Sequence, residues 1–114
     1  MAIKTVYVVG AVVVIAFAAL AVFSLPSTQV NAGALANCLS EKGWAMYGTQ
    51  WCTACNAQKK LFGDAFENIS LVDCDFDRPA CDAFDVRGYP TWFNGAKKLE
   101  GVQSLETLAA ESGC

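Results

Sequence analysis

No charged residue lies between Lys4 and Glu41, and within that gap residues 7–25 (YVVGAVVVIAFAALAVFSL) form an apolar run of 19 residues broken only by Gly10 and Ser24. A helix that is apolar on every side needs lipid or a large core around it, and the remainder of a 114-residue chain cannot supply the core. At 1.5 Å per residue the run reaches about 29 Å, close to the roughly 30 Å of a bilayer's hydrocarbon layer. The apolar part of a signal peptide is shorter, about 7 to 15 residues. Length therefore favours a transmembrane anchor over residues 1–25. Val30-Asn31-Ala32 has the small-residue pattern of a cleavage site and Pro26 stops the helix just before it, so a cleaved signal peptide is the alternative. Lys4 on the short N-terminal flank keeps that end inside. The rest is expected outside the cytoplasm, held on a single-pass anchor at the cell membrane or else released as a secreted or periplasmic protein.

With residues 26–32 (PSTQVNA) as a linker, residues 33–114 remain, 82 positions and enough for one small domain. Seven basic and eleven acidic residues give that domain a net charge of −4 with no basic run, which argues against nucleic acid or an anionic membrane surface as partner. The chain has no histidine, which excludes Ser-His or Cys-His catalysis and any His-ligated metal. Chemistry falls to cysteine, carboxylate, lysine or tyrosine. All six cysteines lie in the domain, at Cys38, Cys52, Cys55, Cys74, Cys81 and Cys114. An even number suits a compartment where disulfides persist. Only Cys52 and Cys55 are spaced as CxxC.

Leu35, Leu39 and Lys42 at helical spacing predict a short helix stopped by Gly43, followed by a buried strand over Trp44-Ala45-Met46-Tyr47-Gly48. A tight loop over residues 49–51 leads into a helix over 53–66, with Ala57, Leu61 and Ala65 on its buried face and Lys59 and Lys60 turned away. A strand is expected over 68–73 and a short helix over 79–84, opened by Pro79. Residues 90–93 and 97–99 form a hairpin about Asn94-Gly95, the dipeptide most typical of a two-residue turn. Ser104 caps a last helix over 104–112, with Thr107 completing an imperfect capping box.

The first of these strands runs into the longest of the domain helices at Trp51-Cys52-Thr53-Ala54-Cys55. Cys52 then sits at a helix N-terminus, where unpaired amides and the positive end of the helix dipole favour thiolate, the attacking species in disulfide exchange. Cys55, one turn on and more buried, can resolve the mixed disulfide. A bare CxxC can also be structural, or half of a zinc site. Two features point to redox chemistry. An aromatic residue, Trp51, precedes the motif, and Tyr89-Pro90-Thr91 opens a later strand. A proline there can hold a cis bond and turn its backbone toward the thiolate, where an extended substrate can pair. Trp51, Tyr89, Pro90 and Thr91 are therefore candidate substrate-binding residues, with Cys52, Cys55 and Pro90 at the chemistry.

The sequence resembles the thioredoxin superfamily, and more closely the thioredoxin-like domain found with bacterial and archaeal homologues of vitamin K epoxide reductase. CLSEKGWAMYGTQWCTAC, QKKLFGDAF, LVDCD, GYPTWFNG and GVQSLETLAAESGC carry the likeness, over about residues 35–114. The resemblance implies an α/β, compact thioredoxin-like fold: a central four-stranded mixed sheet flanked by helices, here preceded by one N-terminal hydrophobic helix. It implies a protein thiol-disulfide oxidoreductase without cofactor or metal, in which Cys52 matches the exposed nucleophile, Cys55 the resolving thiol and Pro90 the cis-proline. In that family electrons pass between substrate proteins and a quinone-linked membrane enzyme, promoting disulfide formation. The four-helix membrane domain is absent from these 114 residues, so the resemblance implies a separate vitamin K epoxide reductase-like partner chain. Thr53-Ala54 stand where the family usually has Pro-His, which leaves the redox potential and the direction of electron flow open; reduction or isomerisation of disulfides is the alternative. Met46 occupies the place where thioredoxins keep a buried aspartate, so the acid-base partner of Cys55 is unassigned.

The other four cysteines are expected to form two disulfides. Cys74 and Cys81 can close a local loop containing Pro79, and Cys38 and Cys114 fall in the first and last domain helices, where the family also tends to carry cysteine. Six cysteines allow 15 pairings, so this one stands as an expectation, and Cys74-Cys81 could instead relay electrons to Cys52-Cys55. A metal module using Cys52, Cys55, Cys74 and Cys81 is a competing reading, weakened because Cx6C lacks the CxxC knuckle of zinc ribbons; a structural domain with three inert disulfides is another. The acidic run Asp73-Cys74-Asp75-Phe76-Asp77 does not fit an EF-hand loop, because Arg78 and Phe84 stand where Gly and Glu are needed.

Overall fold

The computed structural model describes residues 2–23 and 29–114, with side chains for 4–15 and 29–114. A helix, α1, covers Ala2–Phe23. Among the described residues no helix is long and apolar enough to cross a membrane. The expected helix stop at Pro26 lies outside the described residues.

The folded unit starts earlier than the sequence boundary at residue 33. Asn31 is the N-cap of α2 (Ala32–Glu41), its side-chain oxygen accepting from the Ala34 amide at 2.9 Å, and Val30 packs against the core. Residues 30–32, assigned to a linker, thus belong to the domain. Leu35, Ala36 and Leu39 form the buried stripe of α2.

Four strands build one sheet: β1 (Ala45–Gly48), β2 (Ser70–Asp73), β3 (Thr91–Phe93) and β4 (Lys98–Glu100), in the order β2-β1-β3-β4. β1 runs parallel to β2 and antiparallel to β3, and β3 pairs antiparallel with β4. The expected mixed sheet is therefore what forms. A parallel pair needs a long crossover, and α3 (Thr53–Phe62) with a 3-10 segment (Gly63–Asn68) provides it. Alternation along β1 sends Met46 into the larger core cluster with Leu35, Leu39, Trp44, Phe62, Trp92 and Leu108, while Tyr47 joins a smaller one with Cys74 and Cys81. α2, α3 and α5 (Leu105–Ser112) contribute to the first cluster and α4 (Arg78–Ala83) to the second.

Two local expectations need correction. The helix expected over 53–66 ends at Phe62 because Gly63 adopts φ 59°, ψ −137°, a conformation open to glycine and closed to side-chain-bearing residues. Its buried face carries Cys55, Gln58 and Phe62, whereas Ala57 and Leu61 are exposed. The hairpin is also longer than two residues, since Phe93 pairs with Lys98. Asn94 uses its side-chain oxygen to accept from the Ala96 and Lys97 amides at 2.9 and 2.7 Å, which closes a four-residue loop. Ser104 does cap α5, accepting from the Thr107 amide at 3.1 Å.

Candidate active site

β1 ends at Gly48, and four residues later Cys52 is the N-cap of α3 in extended geometry (φ −75°, ψ 112°). Its sulfur accepts from the Cys55 amide at 3.0 Å, the role that Ser or Asp oxygen usually plays at this position. A first-turn amide thus points at the sulfur that must carry negative charge to attack a disulfide. Cys52 is 7% exposed and Cys55 fully buried, so the expected contrast between an open and a covered cysteine is narrower than anticipated. Both face the larger core cluster, against which Ala54 and Tyr89 pack. Burial pushes the Cys55 thiol up to about 11; its hydrogen bond to Cys52 and the charge of Cys52 add to this, while a backbone hydrogen bond at Thr49 and the positive charge of Lys59 oppose it. The backbone of Gly48 lies so close that a Cβ there would stand 2.7 Å from Cys55 Sγ.

Trp51 is 69% exposed at the mouth of the site. Its indole N–H donates to Asp75 Oδ2 at 2.8 Å, and its ring meets Tyr89 edge-on at 6.0 Å between centroids. The Tyr89-Pro90 bond is cis. Pro90 is buried, and its carbonyl accepts from the Gly101 amide at 2.8 Å. Thr91 is 1% exposed and its hydroxyl donates to the Gly88 carbonyl at 2.7 Å, so its side chain is committed to the turn and unavailable to a substrate.

Cys38 is bonded to Cys114 and Cys74 to Cys81, with Cα separations of 6.0 and 5.8 Å. Cys52 and Cys55 are the free pair. With Cys74 and Cys81 joined to each other, the four-thiolate metal site is not formed. Their disulfide lies in the cluster around Tyr47, a different one from that holding Cys52 and Cys55. Each carboxylate of the acidic run has a structural partner: Asp73 accepts from the Asp75 amide, Asp75 from Trp51, and Asp77 caps α4 by accepting from the Ala80 amide.

Sequence reading missed Gln58. It is fully buried, its side-chain oxygen accepting from Trp92 Nε1 at 3.1 Å and the Gln103 amide at 2.7 Å, and its amide donating to the Gln103 carbonyl at 2.9 Å. These bonds fasten α3 to β3 and to the strand-to-helix loop before α5. Lys59 was assigned to solvent, yet it is half-buried and electrostatically coupled to Cys55. Its position four residues after Cys55 was the available signal, because i and i+4 are neighbours on a helix.

A CxxC at the start of the helix after β1, a cis-proline immediately before β3 and this strand order are the arrangement that the resemblance to the thioredoxin superfamily implies. No protein-family model matches the chain. It is 35% identical over 96 residues to the thiol-disulfide oxidoreductase LTO1 of Arabidopsis thaliana, a match covering 76% of this chain and 26% of that protein. It is 35% identical over 71 residues to a thioredoxin domain-containing protein 5 homolog of Drosophila melanogaster, covering 51% of this chain and 17% of the relative. Protein disulfide isomerase-like 2-2 of Oryza sativa subsp. japonica is 37% identical over 73 residues, or 52% and 20% of the two chains. The chain therefore spans about a quarter or less of the length of these relatives.

Proposed function

We propose that this protein is a thiol-disulfide oxidoreductase that exchanges disulfides with substrate proteins through Cys52 and Cys55. The observation that carries the reading is the free Cys52-Cys55 pair at the N-terminus of α3, in a domain whose other four cysteines are closed in disulfides. In the oxidising direction a substrate thiolate attacks Cys52 of the Cys52-Cys55 disulfide and Cys55 leaves. A second substrate thiol then attacks the mixed disulfide, so the substrate leaves oxidised and the protein as a dithiol. Re-oxidation falls to a separate quinone-linked membrane reductase of the vitamin K epoxide reductase type, the partner that the sequence resemblance implies. Run in reverse, the same steps reduce or isomerise disulfides.

We propose further that the site lies outside the cytoplasm on an uncleaved N-terminal anchor over residues 1–25, a reading carried by the sequence although among the described residues no helix is long and apolar enough to cross a membrane. The uncharged 19-residue run supports this, as do two disulfides that need an oxidising compartment. Cleavage after Ala32 would also remove Val30 from the core and the Asn31 cap from α2, and a lost cap costs about 1 kcal/mol. Equilibration with glutathione buffers, followed by alkylation and mass measurement, tests the activity: Cys52 and Cys55 should titrate together between dithiol and disulfide while the other four stay bonded. A Cys52-Cys55 pair that never forms a disulfide would overturn it.

A further inference from the structure

Two parts of the site must keep register for a protein substrate: Cys52, which opens α3, and the Tyr89-Pro90 segment before β3. An extended chain adds to such a segment through its backbone, and neither the amide nor the carbonyl of Tyr89 makes a hydrogen bond among the described residues. The Pro90 carbonyl is already taken, accepting from the Gly101 amide at 2.8 Å. Two residues on, Gln103 is held by α3: Gln58 Oε1 accepts from its amide at 2.7 Å and Gln58 Nε2 donates to its carbonyl at 2.9 Å. The Gln103 side chain donates to the Glu100 and Gly101 carbonyls at 2.9 and 3.3 Å, which keeps the turn between the two attachments closed. A strap of hydrogen bonds thus runs from α3 to Pro90. Gln58 is fully buried, so water does not compete for its end of the strap.

We propose that Gln58 is a positioning residue: it sets the spacing between Cys52 and the Tyr89-Pro90 backbone, and through that spacing favours extended protein chains over small thiols and disulfides as substrates. The inference rests on the oxidoreductase reading of the site. Gln58 stands six residues after Cys52, and the helix between them is a stiff rod, so fastening Gln58 to Gln103 fixes where the Cys52 end of α3 stands relative to the loop before α5. The bond from Gly101 carries that placement to Pro90. A small thiol needs to reach only the sulfur of Cys52. An extended chain must meet that sulfur and the Tyr89 backbone at once, so a shift of one against the other is felt by the chain alone. Glutamine suits the task because its amide offers a donor and an acceptor side by side, and a backbone peptide unit can meet both. Leucine fills similar space and ties nothing. The second acceptor bond of Gln58, from Trp92 Nε1 at 3.1 Å, steadies the side chain from β3 but is not part of the strap.

The test compares two thiol substrates of the oxidised full chain, reduced glutathione and an extended peptide with two cysteines, by the rate at which each consumes the Cys52-Cys55 disulfide, read by alkylation and mass. The unchanged protein is set beside Gln58→Leu, Gln103→Ala and Trp92→Phe, with urea unfolding of each. In Gln58→Leu the ratio of the peptide rate to the glutathione rate should fall about tenfold. Gln103→Ala, a partly exposed change that loosens only the turn, should lower the ratio about threefold and keeps the question open to decision if Gln58→Leu does not fold. Trp92→Phe removes core volume and one bond to Gln58 yet leaves the pair with Gln103, so it should unfold at lower urea and keep the parent ratio. An unmoved ratio in both Gln58→Leu and Gln103→Ala would overturn the proposal. So would a ratio that falls as far in Trp92→Phe as in Gln58→Leu, because that marks general loosening of the core. Failure of the unchanged protein to oxidise either thiol would instead overturn the oxidoreductase reading on which the proposal rests.

Discussion

At Gly48 a hydrogen atom stands where any other residue would place carbon 2.7 Å from Cys55 Sγ, closer than real side chains approach. Gly48→Ala must push α3 away from β1 or turn the thiol out of its site. Overpacking of this kind costs about 1–3 kcal/mol, and the loss should appear in urea unfolding of the reduced protein together with faster alkylation of Cys55; an alanine variant matching the parent in both would contradict the packing described. The buried thiol has a second consequence. Folding raises Cys55 from 9.0 to about 11, so below 9 both folded and unfolded chains keep the proton, while between the two values the unfolded chain releases it first. Stability of the dithiol form should therefore fall as pH rises through that window. Cys55→Ser should lack that component of the fall, a comparison that thermal unfolding at stepped alkaline pH makes directly.

Among the elements, the loop from β2 to α4 touches the mouth of the site, because Asp75 holds the Trp51 indole and the Cys74-Cys81 disulfide anchors the loop that carries it. Asp75→Ala should leave stability within about 0.5 kcal/mol, as exposed substitutions usually do. It should slow exchange with a protein substrate several-fold while leaving exchange with glutathione unchanged, since only the larger partner needs an oriented Trp51. Equal rates with both would show that the bond has no part in recognition. Element order and the CxxC were legible in the sequence because they rest on local signals: Gly43, Pro79, the Ser104 cap, and cysteines three apart. The buried face of α3 was not, because its central member is Gln58, and a pattern that counts apolar residues assigns glutamine to solvent. Only the tertiary partners Trp92 and Gln103 make that side chain a core residue. Likewise Asn94-Gly95 marked a turn correctly but not its length, which depends on the side-chain bonds of Asn94. Asp75 gained its role from a contact with Trp51 that no spacing records.

Across the whole domain, the chain is fastened where its first and last helices meet. Cys38 is bonded to Cys114, 76 positions away, and Lys42 Nζ donates to the Ser112 and Gly113 carbonyls at 3.0 and 3.2 Å at the end of α5. A loop of that size is worth about 4 kcal/mol in the chain-entropy model. Replacing both cysteines by serine should lower the unfolding free energy by up to that amount and leave the Cys52-Cys55 potential nearly unchanged, because the staple acts on the unfolded chain and sits apart from the site. A shifted potential would mean that the staple also shapes the site. The division of labour within the free pair is the central claim, and trapping tests it most directly. Cys55→Ser, given a disulfide-containing substrate protein, should accumulate a covalent adduct through Cys52 that dithiothreitol releases, and Cys52→Ser should accumulate none. An adduct in Cys52→Ser and none in Cys55→Ser would contradict the assignment of Cys52 as nucleophile and Cys55 as resolving thiol.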